Sequence, residues 1–173
     1  MGRVIFHVDV NSAFLSWEAV YRLYHLGGKV DLRTQVAAVG GDMAMRHGII
    51  LAKSIPAKKY HIQTGETILE AKQKCPDLLL VPPNYSLYEQ CSKAFMEVLL
   101  QYSPDVEQYS VDEAFIDMSG TDKLWGDPVT AANRIRAQIK EELGFTVNIG
   151  VSENKLLAKM ASDFQKPDRV HTL

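Results

Sequence analysis

Two adjacent acids, Asp112 and Glu113, interrupt the apolar alternation of Tyr109-Ser110-Val111-Asp112-Glu113-Ala114-Phe115-Ile116-Asp117. Val106, Tyr109 and Val111 lead in along one predicted strand, and Ala114, Phe115 and Ile116 lead out along the next. Alternate side chains of a strand face opposite ways, so only one of the two acids at the turn is readily hidden. Hiding a carboxylate is costly without a cation or hydrogen bonds to compensate it. The pair therefore reads either as a solvated hairpin tip or as a ligand pair for a divalent cation. A third acid closes Val4-Ile5-Phe6-His7-Val8-Asp9-Val10-Asn11, an apolar run of buried-strand type. Capping the helical pattern that follows (Phe14, Leu15, Ala19, Leu23) needs only one of Asp9, Asn11 or Ser12 and leaves Asp9 unexplained. If this strand lies beside the hairpin, Asp9, Asp112 and Glu113 meet at one rim. Hard cations such as magnesium take such oxygen ligands and share them with phosphates. Two of them about 4 Å apart can clamp the attacking and leaving oxygens of a phosphoryl transfer.

The basic residues that would complete such a site fall in two groups. Ser152-Glu153-Asn154-Lys155-Leu156-Leu157-Ala158-Lys159-Met160-Ala161 reads as a capped helix with Lys155 and Lys159 on one face, followed by Lys166-Pro167. Lys53, Lys58 and Lys59 form the other group. Surface lysines are usually only solvated, but beside a carboxylate–metal rim they supply the charge that neutralises a triphosphate.

With these residues assembled, the chain resembles the N-terminal part of a Y-family (translesion) DNA polymerase of the bacterial DinB or polymerase IV branch. Three landmarks carry the resemblance in order: Asp9-Val10-Asn11-Ser12-Ala13-Phe14, Ser110-Val111-Asp112-Glu113-Ala114, and Gly150-Val151-Ser152-Glu153-Asn154-Lys155-Leu156-Leu157-Ala158-Lys159 running on to Lys166-Pro167. The resemblance implies catalytic metal ligands at Asp9, Asp112 and Glu113, with the Val10 carbonyl as a further ligand. It implies two magnesium ions, with manganese able to substitute. Asn11, Ser12 and Ala13 would offer backbone N–H groups to the triphosphate, and Phe14 would be the steric gate against a ribose 2′-hydroxyl. Lys58 and Lys166 would contact the triphosphate, while Lys155 and Lys159 lie near DNA or phosphate. Two positions depart from the family. Ile55 stands where a phosphate-binding Tyr is common, and Lys58 stands for an Arg, which gives up bidentate recognition. The implied partners are a deoxynucleoside triphosphate, primer–template DNA and, through parts of the family beyond this chain, a sliding clamp. Thumb and little-finger domains have no room in 173 residues, so a palm-and-fingers fragment is expected.

At 46% hydrophobic residues the chain can bury a sizeable core. Its net charge of −2 is not that of an autonomous nucleic-acid binder. Cys75 and Cys91 lack metal spacing and suit a reducing cytoplasm, and no stretch approaches the roughly 20 apolar residues that span a bilayer. The pattern predicts strands at 3–10, 36–39, 49–52, 78–81 and 145–151 and helices at 12–26, 67–74, 85–102 and 128–143, with a short helix starting at Pro56. On helix 85–102 the expected core stripe is Leu87, Cys91, Phe95, Val98 and Tyr102. The expected class is α+β: an antiparallel-rich, ferredoxin-like palm sheet backed by helices, made of 1–10 and 80–173, with fingers inserted at 11–79.

Three alternatives remain. Gly40-Gly41-Asp42 echoes a nucleotidyl cyclase hairpin, although Met43, Ala44 and Met45 follow where a second acid is wanted. An aspartyl-phosphate site at Asp9 would need another acid where Asn11 stands. The third alternative is a metal- and nucleotide-binding fragment without turnover.

Overall fold

The computed structural model describes residues 2–41 and 48–173, so Asp42 and the Met43–Met45 stretch of the cyclase alternative lie outside the described residues. The chain divides into two compact units, one of residues 1–11 and 89–173 and the other of residues 12–88. The class is α+β, as the sequence pattern predicts.

The first unit is built on β1 (Ile5–Val10), β5 (Val106–Ser110), β6 (Glu113–Asp117), β7 (Val147–Ser152) and β8 (Val170–Thr172), in the order β5-β6-β1-β7-β8. Every pairing is antiparallel except β7 with β8. Directly paired residues share a face, so the register sorts the side chains of the three central strands. One face carries Phe6, Val8, Val10, Ala114, Ile116, Val147, Ile149 and Val151, all buried and apolar. On this unit α5 (Pro128–Leu143) packs on β7 and buries Ala132, Ile135 and Ile139. Pro128 at its first turn, the Asp127 side chain accepting from Thr130 N–H at 3.1 Å, and Gly144 at φ 81° define its ends. The other face carries three rows across β6, β1 and β7. These are Asp117–Ile5–Ser152, then Phe115–His7–Gly150, then Glu113–Asp9–Asn148 at the rim.

That second face is covered by α6 (Lys155–Ser162), whose Ala158 packs with Ile5 and Phe115. Asn154 caps it, accepting from Leu157 N–H at 2.9 Å. Gly150 sets how closely the helix approaches, since a Cβ there would lie 1.8 Å from the Ala158 carbonyl oxygen and 2.5 Å from the Ser162 nitrogen.

In the second unit α1 (Ala13–Tyr24) buries Leu15, Trp17 and Ala19. It stops where Gly28 N–H reaches back to the Arg22 carbonyl at 2.8 Å. The strands β2 (Ala37–Gly40), β3 (Ile50–Lys53) and β4 (Leu79–Val81) form a sheet in the order β3-β2-β4. This sheet and α2 (Ile68–Lys74) share a core of Ala38, Ile50, Ile62, Ala71, Cys75 and Leu78. The division between the units falls within α3 (Tyr85–Leu100). The α3 stripe differs from the expected one. Leu87 and Cys91 are only half-buried, whereas Tyr88 and Leu99 are fully buried. The inward row therefore runs one position later at its start, because the large Tyr88 ring wins the interior place. The short α4 (Asp122–Trp125) and a 3-10 turn at Leu32–Thr34 had no sequence signal of their own.

Gly150→Ala is expected to cost about 3 kcal/mol, the upper end for an inserted methyl, because it meets backbone rather than a movable side chain. Equilibrium denaturation of the variant checks this. A loss below about 0.5 kcal/mol, the range of a neutral surface change, would mean that α6 does not sit this close to β7.

Candidate active site

The rim row places Asp9 directly opposite Glu113 and links it to the turn residue Asp112, whose carbonyl accepts from Val10 N–H at 2.9 Å. The three predicted acids are thus brought to one end of the sheet. Ser110 Oγ lies 2.9 Å from both Asp112 Oδ1 and Glu113 Oε2 and ties the two carboxylates together. The predicted basic residues meet them: Lys166 Nζ is 2.5 Å from Asp9 Oδ2, and Lys159 Nζ is 2.5 Å from Glu113 Oε1. Lys166 also pairs with Asp163 at 3.1 Å. Lys155, one turn before Lys159, pairs instead with Glu107 and lies over the Phe115 ring.

Burial sets the electrostatics. The Asp9 side chain is 13% exposed. Loss of solvent, together with the charges of Asp112 and Glu113, pushes its pKa up to about 6 even though Lys166 pulls the other way. Burial also works to raise Glu113, but hydrogen bonds from Lys159 and Ser110 outweigh it and hold that carboxyl below its ordinary value. Burial pulls down on both lysines, yet their carboxylate partners leave Lys159 and Lys166 above the usual lysine value.

The sequence reading missed His7. It is buried, with Nδ1 2.7 Å from Ser162 Oγ and Nε2 3.0 Å from Glu113 Oε1, so it spans from α6 to the rim. Burial holds its pKa below the ordinary histidine value, against the raising pull of Glu113. The available signal was a histidine inside an apolar strand, since a buried imidazole needs polar partners. Ser110 had no comparable signal.

Asn11, Ser12 and Ala13 divide differently from expectation. Asn11 N–H already donates to the Thr146 carbonyl at 3.0 Å, and its side chain accepts from Thr146 Oγ1 at 2.9 Å. The N–H groups left for an anion are therefore those opening α1, where Ser12 is left-handed (φ 45°) and provides no side-chain cap. In that second unit Phe14 is half-buried and stacks on Tyr88 at 4.4 Å and 9°. The Tyr88 hydroxyl donates to buried Glu18 at 2.8 Å. Lys58 is exposed on the 3-10 helix Pro56–Tyr60, and Ile55 beside it is exposed as well. Burial lowers the Lys53 pKa, and the charges of Lys58 and Lys74 lower it further, marking one positive cluster.

Among the described residues, no three acidic, histidine or cysteine side chains close on a single point as they stand. The donor set nevertheless suits a hard cation, because it offers carboxylate oxygens at a half-buried strand end. Asp9 and Glu113 each already hold a positive group where such a cation would bind.

A raised folded-state pKa for Asp9 favours folding below about pH 4, and that benefit is lost as pH rises to about 6. Metal-free Asp9→Asn should therefore gain stability relative to the parent across this interval, by at most about 3 kcal/mol. Denaturation of both proteins from pH 4 to 7 checks the sign. A constant difference would show that Asp9 titrates normally.

Known proteins resemble this chain in sequence and fold. The family profile described as impB/mucB/samB matches residues 8–163. The DNA polymerase IV of Clostridium acetobutylicum is 51% identical over the whole of this chain, which spans 43% of that protein. That of Acetivibrio thermocellus is 47% identical over 98% of the chain and 41% of its own length. Among solved structures, DinB from Sulfolobus solfataricus superposes with a TM-score of 0.85 at 25% identity, covering 98% of this chain and 48% of that one. The insertion ternary complex of Dbh DNA polymerase gives 0.84 at 27%, with the same coverage. The chain spans less than half the length of these relatives, and it belongs to the impB/mucB/samB family of Y-family DNA polymerases.

Proposed function

We propose that this chain is the palm-and-fingers part of a template-directed translesion DNA polymerase. It would hold divalent cations at Asp9, Asp112, Glu113 and the Val10 carbonyl, and join a deoxynucleoside triphosphate to a primer 3′-hydroxyl. The observation that carries this reading is the cross-strand pairing of Asp9 with Glu113 beside Asp112, with Lys159 and Lys166 already on the two half-buried carboxylates. The relatives' name, DNA polymerase IV, supports the same chemistry. The unit of residues 1–11 and 89–173 would be the palm and that of 12–88 the fingers.

Bound magnesium or manganese would lower the charge barrier to attack on the α-phosphate and stabilise the leaving pyrophosphate. The chain's own part is positioning and charge compensation. Asp9 and Glu113 fix the rim, Ser110 and His7 hold Glu113 in place, and Lys166 is free to exchange its carboxylate for phosphate oxygen. Phe14, backed by Tyr88, would present a rigid ring against a ribose 2′-hydroxyl, where exclusion discriminates by repelling the wrong sugar. Lys58, with Lys53 nearby, would offer point charges to phosphate. Ile55 cannot hydrogen-bond there. Spanning 43% of its relative, the isolated chain should bind cation and nucleotide but extend a primer poorly.

The test is a chimera in which this chain replaces the matching part of the Clostridium acetobutylicum polymerase. Asp112→Asn in the chimera should lower primer extension by at least about a thousandfold, a loss of about 4 kcal/mol of transition-state stabilisation, while DNA affinity stays near that of the parent chimera. Undiminished synthesis would remove Asp112 from the metal site.

A further inference from the structure

Asn148 is the second residue of β7, a strand whose six residues are all buried, and is itself fully inaccessible. A buried amide is tolerated only when its hydrogen-bonding groups are met. It has two N–H donors and two acceptor positions, and all four are used here. Nδ2 donates to the Ser162 carbonyl at 2.9 Å and the Gln165 carbonyl at 2.8 Å. Oδ1 accepts from Asn11 Nδ2 at 3.2 Å and Arg169 N–H at 3.3 Å. The two facing carbonyls fix the amide orientation, since exchanging nitrogen and oxygen would set acceptor against acceptor.

The partners have a pattern. Ser162 and Gln165 precede Lys166, and Arg169 follows it. Asn11 Oδ1 adds Asp168 N–H at 3.1 Å. Asp168 is further held by Arg136 at 2.7 Å and Lys140 at 3.0 Å. The loop after α6 is thus pinned on both sides of Lys166, whose side chain reaches Asp9, the rim neighbour of Asn148.

We propose that Asn148 is a positioning residue for Lys166. With Asn11 it clamps the 162–169 loop so that the ammonium is delivered to the rim and, on the reading of that rim as the nucleotide site, to the triphosphate. A buried asparagine that only satisfies a loop backbone would contribute stability and nothing specific to Lys166.

Two measurements separate these roles. In the 173-residue chain, the rates at which an amine-acetylating reagent modifies Lys166 and Lys155 are compared by mass spectrometry. Asn148→Val should raise the Lys166 rate severalfold under folded conditions and leave Lys155 unchanged, and Asn148→Ser, which keeps one donor and an acceptor, should fall between. Equal rates at Lys166 in the parent and in folded Asn148→Ser or Asn148→Val would overturn the proposal, and so would parallel acceleration of both lysines. In the polymerase chimera, Asn148→Val should raise the nucleotide KM about tenfold with little change in kcat, the pattern of a lost uniform binding contact. In a Lys166→Ala background it should add no further rise, because the two residues act as one unit. A rise that adds fully to that of Lys166→Ala would also overturn it. If Lys166→Ala alone leaves KM unchanged, the nucleotide role of Lys166 fails, while the acetylation result still decides whether Asn148 positions it.

Discussion

A carboxylate at the end of a buried central strand has lost most of its water, and something charged must take the place of that water. Asp9 meets this condition, and the architecture of the first unit follows from it. Its antiparallel partner Glu113 adds a like charge across the strand. The compensating cations come from α6 and the loop after it, so that helix must lie flat against the sheet. Gly150 permits the approach, Ala158 fills the space beside it, and Lys159 then falls on Glu113. Exchange of the two lysines for metal ions and phosphate would convert this compensation into a catalytic rim.

Polar groups beneath the rim are matched rather than exposed. His7 links Ser162 to Glu113, Ser110 bridges Asp112 and Glu113, and the Asn11–Asn148 pair holds the loop that carries Lys166. Each bond adds modest stability, but an unmet partner in such a place costs more than the bond returns. The second unit uses the same device for a different purpose: buried Glu18 fixes Tyr88, and Tyr88 supports the Phe14 ring. The chain's small net charge of −2 conceals this local order of acidic rim and basic clusters.

Much of this was legible in the residues. The apolar run ending on Asp9 and the alternation around Asp112–Glu113 give three strands and the acids at their ends, and α5 covers the 128–143 that the pattern predicts. Periodicity did not reveal polar residues whose partners come from distant segments. His7 and Asn148 look like ordinary interruptions of apolar strands until Ser162, Gln165 and Arg169 are folded over them. Asn11 looked like a backbone donor to phosphate, and its N–H proved to be taken by Thr146. Tyr88 displaced Leu87 from the expected stripe because neighbouring helix positions compete for one interior site, and local spacing does not decide which side chain fits.

The most direct measurement is the anomalous scattering of manganese in a crystal of this chain soaked with the ion. The account predicts manganese bonded, at about 2.0–2.2 Å, to oxygens of Asp9 and of Asp112 or Glu113, with the Lys166 and Lys159 ammonium groups displaced from their carboxylates. Manganese bound only elsewhere, with both lysine–carboxylate contacts intact, would contradict it.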